Sequence, residues 1–175
     1  MKRLLFAAIV LLTACTGPAG EPEKNRGDYF FDLKAFFAAE AGRLTATGKP
    51  AIKEVTRNRA VERRRLKINW DTELALFRES DINRPAWKDS YRTTVTGAAT
   101  TYWAPDEDLR TRRITLVRQA GGGIRHIRVE NRVSNFLYTT TETLDYFPAS
   151  GYAIDRSQSV RIIGMNHYTI KTKLE

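Results

Sequence analysis

From position 91 onward the chain is one strand-like segment after another. YRTTVTGAATTYW, TRRITLVRQ, GIRHIRVE, NFLYTTTETLDYF, GYAI, SVRIIG and NHYTIKTKL are rich in β-branched and aromatic residues and are separated by short turns. The last of them alternates cleanly, with Tyr168, Ile170, Thr172 and Leu174 on one face and His167, Thr169, Lys171 and Lys173 on the other. Such alternation predicts an antiparallel sheet with one wet face. Ala120-Gly121-Gly122-Gly123 predicts a hairpin connection, since glycine reaches positive φ without a Cβ clash.

The stretch before position 91 is mixed. Residues 28–48 carry the strongest helical pattern, with Phe30, Leu33, Phe37, Ala41 and Leu44 in one stripe that Phe31 and Phe36 widen. Asp28 is placed to cap this helix, Asp32 falls near its first turn, and Gly48 stands where a helix ends. A membrane-surface helix would need more cations than Lys34 and Arg43 beside the stripe, so a core helix is expected. Residues 51–68 predict two strands around a turn at Asn58. Residues 69–80 predict a short helix with Trp70, Leu74 and Phe77 on one side and Asn69 or Asp71 as its N-cap. Pro85 makes 81–91 a loop, with Trp87 plugging the gap beneath it. The expected class is therefore α+β: a curved antiparallel meander packed on an N-terminal amphipathic helix, as one domain over 28–175.

The first fifteen residues concern address. Lys2 and Arg3 precede an apolar run over 4–12, too short for a bilayer, which needs roughly 20 residues, and suited to an export signal. The single cysteine, Cys15, has no partner for a disulfide. Leu12-Thr13-Ala14-Cys15 resembles the lipobox of bacterial lipoproteins. That resemblance implies a signal peptide over 1–14, cleavage before Cys15, and acyl chains on its sulfur and new amino group. Residues 16–27 hold no large apolar side chain but several Gly, Pro and charges, so 15–27 is expected to be a lipid-anchored flexible tether. Loss of Lys2 and Arg3 lowers the formal charge from +9 to +7. An exported, tethered domain meets little nucleic acid, so its basic character points to membrane lipid, an acidic glycan or an envelope protein. Thr16 rather than Asp after the cysteine favours the outer membrane, facing the periplasm.

Chemistry-bearing motifs are scarce. His126 and His167 stand apart with no metal-ligand spacing, and each is expected to be a plain surface histidine. Neither Gly-x-Ser-x-Gly nor Ser-x-x-Lys occurs, and the glycines near 121 are not followed by a phosphate-loop Lys. Asp106, Glu107 and Asp108 form an acidic knot in a turn. No cofactor, metal or enzymatic activity is expected, and a hydrolase has no residues to name. The arginines say more. Residues 110–132 carry seven arginines against Glu130, and residues 57–67 carry six cations against Glu62. Arg112, Arg118, Arg128 and Arg132 are the candidate anion-binding set, forming a basic platform if the two hairpins are neighbours; edge-strand protection would use the same charges. A role in binding or assembling an envelope component is expected. Either an apolar ligand or lipoprotein is carried between helix and sheet, or the arginine-rich hairpins engage acidic polymers or a protein partner.

The segment WDTELALFRESDINRPAWKDSY, with YFFDLKAFF before it and GYAIDRSQSVRIIGMNHYTIKTKL at the end, resembles a family of lipoproteins of Bacteroidetes-type bacteria. The resemblance implies a cell-envelope address and no particular activity. Only the lipobox residues carry over.

Overall fold

The computed structural model describes residues 29–175. The expected signal peptide, Cys15, the tether and the Asp28 cap lie outside the described residues. Nine strands form one open antiparallel sheet: β1 (Ala51–Arg57), β2 (Ala60–Leu66), β3 (Arg92–Thr96), β4 (Ala99–Trp103), β5 (Thr111–Arg118), β6 (Ile124–Ser134), β7 (Tyr138–Phe147), β8 (Gly151–Val160) and β9 (Gly164–Leu174). Their spatial order is β2-β1-β9-β8-β7-β6-β5-β4-β3. From β3 to β9 each strand pairs with the next, and β1 then pairs with β9, Ala51 opposite Leu174 and Arg57 opposite Tyr168. With helices α1 (Leu33–Thr47), α2 (Trp70–Glu73) and α3 (Ala75–Arg78), the class is α+β as expected.

Helix α1 starts at Leu33, five residues after the predicted start. The backbone of Phe30 is held from both sides by Asn83, whose Oδ1 accepts from Phe30 N at 3.0 Å and whose Nδ2 donates to Phe30 O at 2.9 Å. Asp32 is the N-cap and accepts from Ala35 N at 2.7 Å. Gly48, at φ 62°, closes the other end. Leu33, Phe37, Ala41 and Leu44 are buried, while Ala35, Ala38, Ala39, Gly42 and Ala46 are exposed, so small residues share the outward face with Lys34 and Arg43.

The predicted helix over 69–80 is two short helices that part at Leu74, with Asn69 as the first cap. Pro85 opens a 3-10 turn, and Arg84 before it is extended. GYAI and the first two residues of SVRIIG belong to one strand, β8, the rest of SVRIIG forms the β8–β9 turn and the first residue of β9, and the segment after Tyr91 divides at Gly97 into β3 and β4. Trp87 is half-buried against the core, with the Arg84 guanidinium 4.4 Å above its ring.

The centre of the core is aromatic. The ring of Phe37 lies 4.7 Å from that of Phe77 and 5.0 Å from that of Tyr146, and Phe77 meets Tyr152 at 6.0 Å. Phe37, Phe77 and Tyr146 are fully shielded from solvent, and truncating a residue so placed costs about 3–5 kcal/mol. The two phenols keep partners: Tyr146 donates to Glu40 and Tyr152 to Glu73, which also pairs with Lys53. Burial, reinforced by these carboxylates, raises both phenols well above their ordinary range.

Candidate functional site

The expected basic platform is not assembled. Strands β7, β8 and β9 stand between the β5–β6 hairpin and the β1–β2 hairpin, so the two cationic stretches lie apart in the sheet. The four candidate arginines also divide. Arg112 falls where the β5–β6 register shifts and donates to the carbonyls of Asp106 and Ala104. Arg118 donates to Gly122 O at 2.9 Å and lies over the Phe31 ring. Arg128 and Arg132 alternate outward from the buried positions Val129 and Asn131. Arg128 is committed to Asp145, with Nε and Nη2 at 2.8 and 3.0 Å from its two oxygens. Of the four, only Arg132 borders the polar pocket described next.

That pocket opens beside α3 on the helix side of the sheet and encloses about 260 Å³. Register builds it: Asn131, Glu142 and Arg156 stand side by side across β6, β7 and β8. Thr140 and Tyr138 follow Glu142 along the same face of β7, and Arg110 enters from the residue before β5. Glu142 is only 7% exposed. A buried carboxylate is costly unless paired and hydrogen-bonded, and here it is both. Its Oε2 accepts from Arg110 at 3.1 Å and from Asn131 Nδ2 at 3.3 Å, while Arg156 Nε approaches Oε1 at 3.5 Å. Asn131 Nδ2 also donates to Ser80 Oγ, which ties the pocket floor to the segment after α3.

Two acceptors are left over. Asn131 Oδ1 and Thr140 Oγ1 are buried and have no hydrogen-bond partner among the described residues. A buried orphan acceptor costs about 1–3 kcal/mol, and both residues line this pocket. Arg156 is half-exposed, and no hydrogen bond fixes its Nη groups among the described residues. The arrangement can therefore take an anionic group on Arg156 and Arg110, and hydroxyl or amine donors on Asn131 and Thr140.

No sequence motif marks this set, because its members come from four different strands or their ends. One local signal exists: in TTTETLDYF, Thr140 and Glu142 share the parity of the buried Leu144 and Tyr146, which puts a carboxylate on the core face.

The histidines were expected to be plain surface residues, and each has a cross-strand carboxylate partner. His126 Nε2 is 2.7 Å from Asp145 Oδ1, and its ring stacks on Phe147 at 4.3 Å. His167 Nε2 is 2.9 Å from Asp155 Oδ2. Burial pushes the Asp145 carboxyl up, but Arg128 and His126 together pull it below its ordinary value. Among the described residues no group of three or more His, Cys, Asp or Glu is placed to hold a metal. The knot at Asp106–Asp108 stays in the β4–β5 loop, exposed. A scan of protein-family models found no match to the chain, and neither the curated proteins nor the solved structures gave one.

Proposed function

We propose that the protein is an acylated envelope lipoprotein of the Bacteroidetes-type family that it resembles, with a non-catalytic binding role. It holds an acidic, hydroxyl-bearing group of an envelope polymer, such as an acidic sugar. The observation that carries this reading is the pocket at Glu142, where two arginines with free donors face two buried, unpaired acceptors. A uronic acid or sugar phosphate supplies both complements: an anion for the guanidinium forks and hydroxyl protons for Asn131 and Thr140. In this reading the sheet is a curved meander bedded on α1 as an amphipathic helix. The contacts of Phe37 with Tyr146 support that packing.

The test is calorimetric titration with glucuronic acid, glucose 6-phosphate and glucose. The acidic sugars should bind and weaken as salt rises, and neutral glucose should not bind. Arg156→Ala should lower the affinity about tenfold or more without moving the urea midpoint by more than about 0.5 kcal/mol equivalent, as befits a half-exposed side chain. Equal binding of all three sugars, or full affinity in the Arg156 variant, would overturn the reading.

A further inference from the structure

Eleven large hydrophobic side chains are exposed among the described residues, and five of them gather on two adjacent hairpins. Phe136 and Leu137 form the β6–β7 turn; Ile162, Ile163 and then Met165 form the β8–β9 turn and its exit. Ile162 is 93% exposed, Phe136 and Ile163 each 79%. The turns touch, since Arg161 N donates to Leu137 O at 3.0 Å. Both hairpins also outrun their neighbours. The pairing of β1 with β9 stops at Tyr168, and that of β5 with β6 stops at Asn131, so the tip projects about three residues, or ~10 Å, past the flanking strands.

We infer that this tip inserts into the interface of an anionic lipid bilayer. Three observations select a bilayer over a protein partner. First, the tip's backbone is largely paired from within: Asn135 Oδ1 accepts from Leu137 N and Tyr138 N, Asn135 N donates to Tyr138 O, and Ile163 N donates to Val160 O. Hydrocarbon tolerates only backbone groups that are paired internally. Second, residues 131–141 and 156–170 contain no Asp or Glu, while Arg132, Arg156 and Arg161 are spread through them. The Arg161 guanidinium covers the Phe136 ring at 4.8 Å, a cation held at the collar of the apolar cap. Third, the sides of the projection continue the pattern: Arg57 and Arg59 flank it at the β1–β2 turn, and Tyr138 and Tyr168 stand at its base, at the level where amphipathic rings meet headgroups. The acidic loop at Asp106–Asp108 is at the same end but across β5, away from the two apolar turns. Among the described residues no helix is long and apolar enough to cross a membrane.

This inference does not depend on the sugar pocket. The test uses residues 16–175, which contain every strand, helix and core residue described above and neither the apolar leader nor Cys15. Vesicles of phosphatidylethanolamine and phosphatidylglycerol, about three to one, are floated with the parent chain and with the double variant Ile162→Ser, Ile163→Ser. A second variant, Phe136→Ser, guards against a local folding defect, and thermal unfolding of each is recorded beside the flotation. Parent binding to the anionic vesicles, reduced about tenfold or more in both variants at unchanged unfolding temperature, is the expected result. An absence of parent binding, or equal binding by parent and variants, sinks the inference. So does self-association of the parent, in sedimentation, that the variants abolish without any vesicle binding, since the tip would then be an interface between copies of this chain.

Discussion

At the scale of single residues, the backbone is most demanding at Gly151. Its φ is 127°, and a Cβ there would lie 1.9 Å from the carbonyl oxygen of Thr172 on β9. Both the dihedral and the contact exclude a side chain, and neither can relax without parting β8 from β9. Gly151→Ala should therefore lose about 2–4 kcal/mol in urea denaturation. Gly42 provides the contrast. It lies in α1, exposed, with nothing within 4 Å of an added Cβ. Gly42→Ala should raise stability by about 0.5–1 kcal/mol, through the unfolded chain as much as the helix. The sequence makes these two glycines look alike, because the close approach at Gly151 is created by a strand it meets only in the folded sheet. Tyr91 gives the same lesson. It opens a strand pattern, yet it is buried, donates to Thr111 O at 2.9 Å, and burial pushes its hydroxyl up to about 12.

At the scale of elements, periodicity was an effective guide wherever an element is defined by its own residues. The α1 stripe, the turn at Asn58, with φ 54°, and the alternation of β9 all follow from local pattern. Sequence could not place the partners across strands. Asp145 is the clearest case: nothing near it in sequence says that it will hold both His126 and Arg128 of β6. The same blindness hid Glu142 and its arginines, whose contact depends on register between β6, β7 and β8.

The Asp145 cluster makes a prediction with a definite sign. Its carboxyl is held below its ordinary value in the folded protein, so the folded state binds fewer protons than the unfolded one around that value. The stabilisation is complete above about pH 4, the unfolded range for Asp, and is lost as pH falls below it toward the folded value. Asp145→Asn should be less stable than the parent by about 1.5–3 kcal/mol at neutral pH, the range for hydrogen bonds to a charged group. The gap should close as the pH is lowered through the acid range. Urea midpoints for both proteins across that range test the point; a gap that stays constant with pH would refute it.

At the scale of the whole molecule, an acyl anchor and an apolar tip would be two modes of attachment that differ in strength. An acylated Cys15 would hold the protein beyond the reach of salt. The apolar tip, with five exposed side chains and a cationic collar, would bind reversibly and respond to ionic strength. The parent protein should accordingly stay with envelope membranes through a high-salt wash, whereas Cys15→Ser should be released by it. Retention of the Cys15 variant after the wash would show that acylation is not the main anchor. The separation of the two arginine-rich hairpins also belongs to this scale. Charge along the chain was legible in the sequence, but β1 joins β9 rather than the arginine-bearing β5, and only the complete strand order reveals it.

That strand order also bears on how the protein is made. The β1–β2 hairpin leaves the synthetic machinery early, yet the edge that receives β1 is β9, the strand completed after all the others. Until position 174 has emerged to meet position 51, the first hairpin has no sheet to join, and the closure spans nearly the whole domain. The first hairpin therefore stays apart from the rest of the sheet until the last strand is made. Were the chain exported as an unfolded thread, a late partner for β1 would delay the docking of the first hairpin until the last strand had crossed.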